Sequence, residues 1–115
     1  MLHRKTYIGV FRDLQDEALA TAKEHGFTDA TPGEDIALMH SELSEALEDI
    51  RAGKHLNSTT YRDADGKPEG VPSEMADTVI RILHFCAKHD IALGHAICEK
   101  MAFNKSRPHK HGKVL

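Results

Sequence analysis

The stretch Thr31-Pro32-Gly33-Glu34-Asp35-Ile36-Ala37-Leu38-Met39-His40-Ser41-Glu42-Leu43-Ser44-Glu45-Ala46-Leu47-Glu48-Asp49-Ile50-Arg51 reads as one helix with both ends marked. Thr31 is a cap residue. Pro32 stands at the first helical position, where its missing N–H leaves no bond unmade, and Glu34, three residues after Thr31, completes a capping box. Ile36, Met39, Leu43, Ala46, Leu47 and Ile50 recur at helical spacing as a narrow apolar stripe, and Gly53 supplies the C-terminal cap position.

Upstream, the same periodicity predicts a packing helix from about Tyr7 to His25, carried by Val10, Phe11, Leu14, Ala18, Leu19 and Ala22 and stopped by Gly26. From Gly53 to Val71 the periodicity disappears and Gly, Pro, Asn, Asp, Ser and Thr take over, with Asp65-Gly66 as a turn signal. That segment reads as a long loop, either a lid that contacts substrate or a disordered connection. A third helix is expected from Pro72 or Ser73 to Lys88, with Met75, Val79, Ile82, Leu83 and Cys86 on its inner face. Asp90 is the expected cap of a fourth, from about Ala92 to Lys105, with Ile97 and Met101 inward and Pro108 preventing extension. The fold class is therefore all-α, a bundle of four to five helices.

The chain has 115 residues, a length that makes residues 1–115 one domain, and only 5% of them are aromatic. A core this small gains much from packing against a second copy, so a homodimer or homotetramer is expected. The net charge of −3 argues against a surface given over to nucleic acid. Lys100, Lys105, Arg107, Lys110 and Lys113 gather at the C-terminal end, where a basic tail begins at about residue 106; it reads as a phosphate-meeting segment or as a solvated tail. The two cysteines, Cys86 and Cys98, have neither metal-ligand nor redox spacing and read as reduced core residues. No apolar run approaches a membrane span, and no signal-like stretch follows Met1, so a soluble cytoplasmic protein is expected.

Two acidic pairs carry the chemistry. Glu42 and Glu45 on the second helix, and Glu74 and Asp77 on the third, are each three residues apart, which puts both members of a pair on one helix face. Four carboxylates suit a hard cation, Mg²⁺ or Mn²⁺, rather than zinc. An acidic flank is ordinarily only a solvated face, and Glu74 and Asp77, with Arg81 and His84 beside them, lie almost opposite the apolar stripe of their helix. In one chain alone that face should meet water, so an oligomer is expected to complete the site. On the fourth helix Lys100, Asn104 and Arg107 fall at i, i+4 and i+7, a line of ammonium, amide and guanidinium suited to a polyphosphate, against the alternative of an ordinary polar face. The nine histidines form no motif beyond His109 and His111 in the tail, and a ferritin-like di-iron centre fails because no Glu is followed by His three residues later.

The succession Ser41-Glu42-Leu43-Ser44-Glu45, then Glu74-Met75-Ala76-Asp77, then Lys100-Met101-Ala102-Phe103-Asn104-Lys105-Ser106-Arg107-Pro108 resembles the MazG-like, all-α nucleoside triphosphate pyrophosphohydrolases. Their pattern runs Glu-Glu-x-x-Glu, a variable gap, then Glu-x-x-Asp, and the likeness covers about Ile36 to Gly112. It implies a MazG-like helical bundle completed by homo-oligomerisation. It further implies that Glu42, Glu45, Glu74 and Asp77 hold Mg²⁺ and that Lys100, Asn104 and Arg107 bind the triphosphate. The reaction implied is hydrolysis of a nucleoside or deoxynucleoside triphosphate to the monophosphate and pyrophosphate by water attack at the α-phosphorus, with nucleotide-pool cleaning as its use. Glu42 and Glu45 are the catalytic candidates, and one of the glutamates, Glu45 being one candidate, would accept the water proton, a role the sequence does not assign. One departure stands: Ser41 occupies the place of the first glutamate, and Asp49, a turn beyond Glu45, is the candidate to substitute for it in part. The competing readings are a non-catalytic helical dimerisation or partner-binding module and a nucleic-acid binder led by the basic end.

Overall fold

A computed structural model describes residues 3–108. The tail positions His109, Lys110, His111 and Lys113 lie outside the described residues. Those described form four helices, α1 (Arg4–Glu24), α2 (Pro32–Arg51), α3 (Val71–Lys88) and α4 (Leu93–Ser106), with two short strands, β1 (Thr60–Tyr61) and β2 (Pro68–Glu69), between α2 and α3. The all-α expectation holds.

The helix ends follow from local chemistry. At the start of α2 the Glu34 N–H donates to Thr31 Oγ1 at 3.2 Å, and the Thr31 N–H donates to Glu34 Oε1 at 2.9 Å, which completes the expected capping box. Past α2, Gly53 at φ 81° turns the chain so that the Lys54 N–H reaches back to the Asp49 carbonyl. Asp90 does not cap α4. It takes φ 54° and ends α3 instead, with its own N–H on Ala87 O and the Ile91 N–H on Cys86 O; an aspartate tolerates the left-handed conformation usually given to glycine there. The residue before α4 is Ala92, without a side-chain cap.

The expected loop is built, not structureless. β1 and β2 pair antiparallel, Thr60 with Glu69 and Tyr61 with Pro68, around a turn held by Arg62 Nε on Asp65 Oδ1 at 2.9 Å. The hairpin closes onto α3 at Gly70, whose φ is 124° and where an added Cβ would collide with the Ser58 carbonyl oxygen. Only glycine fits such an approach.

α3 is the centre of the fold. α1 and α2 each pack on α3 rather than on one another, and α4 packs on α1, crossing it where Gly94 brings its backbone against Tyr7 and Ile8. Gln15 Nε2 donates to Ile91 O at 2.9 Å and ties α1 to the end of α3. Lys88 Nζ, on α3, donates to Ala30 O at 2.7 Å and lies 3.1 Å from Asp35 Oδ2, so it fixes the α1–α2 connection and the start of α2 together.

The inward faces differ from the expected stripes. α2 buries Asp35, Glu42 and Ala46 against α3, while Ile36, Leu43, Leu47 and Ile50 remain 42–53% exposed. On α3, Met75 and Val79 are exposed and Leu83 and Cys86 are buried; on α4, Met101 is exposed. Among the described residues the buried apolar core is Ala46, Val71, Leu83 and Cys86, and no large side chain is fully enclosed. Of the expected stripes, Ala46, Leu83 and Cys86 do face inward, while Ile36, Leu43, Leu47 and Ile50 on α2 and Met75 and Val79 on α3 are largely exposed, and polar pairs help set how α2 and α3 face each other. Among the described residues, no helix is long and apolar enough to cross a membrane.

Candidate metal centre

The facing sides of α2 and α3 form an antiparallel ladder. Asp35 meets Lys88 at 3.1 Å, and seven residues on Glu42 Oε1 accepts from Arg81 Nε at 2.9 Å. In these two rungs an acid on α2 is balanced by a base on α3. The next rung has acids on both sides: one oxygen from each of Glu42, Glu45 and Glu74 lies within 4.8 Å of the others. The sequence expectation that one chain would leave Glu74 and Asp77 facing water is corrected here. Glu74 and Asp77 are half-buried, and α3 turns this face, not its apolar stripe, toward α2 and the adjoining groove.

The electrostatics follow from that crowding. Glu74 is pushed up to about 7, by burial first and then by the carboxylates of Glu45 and Glu42, and its Oε2 is buried without a hydrogen-bond partner. Asp77 is raised by burial first and then by Glu42, with Arg81 and Lys67 pulling the other way. Like charges this close disfavour one another's ionisation unless a cation neutralises them.

These residues fit a hard divalent ion. All the donors are carboxylate oxygens, and an acceptor atom of Glu74 stands buried and unpartnered. Asp77 is outside the tight trio but lines the same groove as Glu42 and Glu45. Asp49, considered as a substitute for the missing first glutamate, is committed to Lys54 at 3.0 Å, and the Ser41 hydroxyl donates to Leu38 O. Neither joins the cluster.

The groove runs between α1 and α2 over α3 and has a volume of about 1000 Å³. Acids mark one part of it, while Leu14, Ala18, Leu38 and Ile80 give apolar walls and Phe27 and His25 stand in the α1–α2 turn. His84 lines it too, its Nε2 buried and unpartnered and its pKa pushed down, chiefly by burial.

Lys100, Asn104 and Arg107 are not brought to this groove. They are exposed on α4 and just past its end, and Lys100 sits 5.5 Å over the Phe103 ring. Two cations absent from the sequence-based site do line it: Arg81 and Lys67. Arg81 had a readable signal, since it follows Asp77 by four residues and Glu74 by seven and so shares their face. Lys67 arrives through the hairpin, which no helical spacing announces. Compared with protein-family models, curated proteins and solved structures, the chain gives no match.

Proposed function

We propose that this chain is a Mg²⁺-dependent pyrophosphohydrolase of the MazG-like type, converting a nucleoside or deoxynucleoside triphosphate to the monophosphate and pyrophosphate. The observation that carries this reading is the close approach of Glu42, Glu45 and Glu74, three carboxylates of which Glu42 alone is paired with a base, beyond the Asp35–Lys88 and Glu42–Arg81 pairs. The order of acidic and basic motifs supports it.

Glu42, Glu45 and Glu74 would hold the ion, with Asp77 beside them, and Mn²⁺ has the same preference for oxygen donors. When bound, such an ion neutralises phosphate charge and makes water acidic enough to attack phosphorus. Glu45, the most exposed of the trio, is the candidate we favour to accept the proton of the attacking water. Water adds to the α-phosphorus, the bond to the bridging oxygen breaks, and pyrophosphate leaves. The apolar groove wall receives the nucleoside. Incubation of the chain with a panel of nucleotides and Mg²⁺ tests the reading: pyrophosphate and monophosphate are the expected products. Orthophosphate release, or no turnover of any triphosphate, would rule it out.

The proposed form is a homodimer or homotetramer. The chain exposes 8832 Å², about 2500 Å² more than the roughly 6300 Å² of a compact monomer of this mass. Its radius of gyration is 16.9 Å, against about 13 Å for a compact domain of this length. The outward stripe of Ile36, Leu43, Leu47 and Ile50 is the surface a second copy would cover, and a second copy is also the route by which α4's Lys100, Asn104 and Arg107 reach a site. Sedimentation equilibrium should give a multiple of the chain mass, and L43E/L47E should return a monomer; a monomeric wild type would refute this assembly. The same stripe favours a second reading, a non-catalytic dimerisation module, which predicts the oligomer without pyrophosphate release.

A further inference from the structure

Arg81 is anchored at one end and free at the other. Its Nε–H donates to Glu42 Oε1 at 2.9 Å, and Glu42's side chain is only 10% exposed, whereas that of Arg81 is 40% exposed. Among the described residues its two terminal nitrogens donate no hydrogen bond. An arginine that merely balances a carboxylate tends to spend two parallel N–H groups on it. Here the Nε alone is used, and the end richest in donors is left on the groove wall. Arg81 follows Asp77 by one helical turn, about 6 Å along the axis, so these free donors lie a short step from the acids. Lys67 lines the same groove and forms no ion pair among the described residues.

We propose that Arg81, aimed by Glu42, is the phosphate-binding residue this groove carries within a single chain, and that the group it receives is a polyphosphate chain reaching the groove from the cation site. This rests on the cation reading above and adds a residue to it. Glu42 would then have two tasks, holding Arg81 through Oε1 and contributing its carboxylate to the cation site. A planar fork meets two phosphate oxygens at once, which an ammonium cannot reproduce. The anion is recognised by its charge and spacing, so inorganic tripolyphosphate suffices as a probe.

Calorimetric titration of the full chain with Mg²⁺ alone, and then with tripolyphosphate at saturating Mg²⁺, tests the assignment. R81Q should bind tripolyphosphate about 10- to 100-fold more weakly, the loss typical of a hydrogen bond to a charged group, while Mg²⁺ affinity is kept or tightened because a competing cation is gone. R81K, which retains charge without the fork, should fall between R81Q and wild type, and it serves as the second variant if R81Q folds poorly. Wild-type tripolyphosphate affinity in R81Q would overturn the proposal. Equal losses of Mg²⁺ and tripolyphosphate affinity would also overturn it, because they would make Arg81 only a support for Glu42. A wild-type chain that takes up no Mg²⁺ would instead sink the cation reading itself, which keeps the two failures apart.

Discussion

Glutamine in place of Glu74 is expected to remove Mg²⁺-dependent pyrophosphate release, by more than about 100-fold, since residues that only support metal ligands are already worth about 10- to 100-fold. E45Q should do the same. The substitution keeps the shape of the side chain and changes only its charge and proton inventory, so helix content should be unchanged by circular dichroism. For Glu74 a further sign follows from its surroundings. This carboxyl is held near the Glu42 and Glu45 carboxylates with one oxygen buried and unpartnered, so an amide that donates hydrogen bonds to them relieves repulsion. The metal-free E74Q chain should therefore melt at or above the wild-type temperature at pH 8, a combination that separates loss of a ligand from loss of the fold. Full turnover in both E45Q and E74Q would dismiss the carboxylate assignment.

How much of this could be read beforehand depended on the range of the signal. The start of α2 was legible because Thr31, Pro32 and Glu34 are three local residues whose chemistry needs nothing from the rest of the chain. Co-facing of Glu42 with Glu45, and of Glu74 with Asp77, was legible for the same reason. Which side of α2 would be buried was not, because a helical wheel assumes that the apolar stripe seeks its own core. Here Ile36, Leu43, Leu47 and Ile50 stay about half exposed, and the α2–α3 contact carries the pairs Asp35 with Lys88 and Glu42 with Arg81. Those pairs are separated by 53 and 39 residues, beyond any local rule. The hairpin escaped because strands of two residues carry no periodicity, although Asp65-Gly66 did mark its turn. Asp90 misled because a capping aspartate and one that ends a helix in the left-handed region look alike in sequence.

The stability of the metal-free chain should fall as pH rises from about 4.5 to about 7, and Mg²⁺ should restore it most strongly at the upper end. Glu74's carboxyl has an ordinary pKa of 4.5 and is pushed up to about 7 in the fold. Between these values the folded chain binds the proton that the unfolded chain has released, so raising the pH favours unfolding. The contribution is fully present below 4.5 and gone once pH passes the folded value; allowing for solvent screening of a half-buried group, it amounts to about 1 to 2 kcal/mol. Asp77, also raised, acts in the same direction. A divalent ion needs these oxygens unprotonated, so at pH 6 its uptake must release a proton and at pH 8 it need not. Mg²⁺ at 100 times its dissociation constant adds about 2.7 kcal/mol, roughly 10 °C or more in melting temperature for a chain of this size. Scanning calorimetry at fixed protein concentration, at pH 5, 6, 7 and 8 with and without Mg²⁺, reads both effects. E74Q should flatten the metal-free pH dependence and shrink the Mg²⁺ shift together, since one carboxyl underlies both. A chain whose melting temperature ignores Mg²⁺ at pH 8, or an E74Q chain that keeps the wild-type pH dependence, would show that the facing acids on α2 and α3 are not the coupled, cation-seeking cluster their geometry describes.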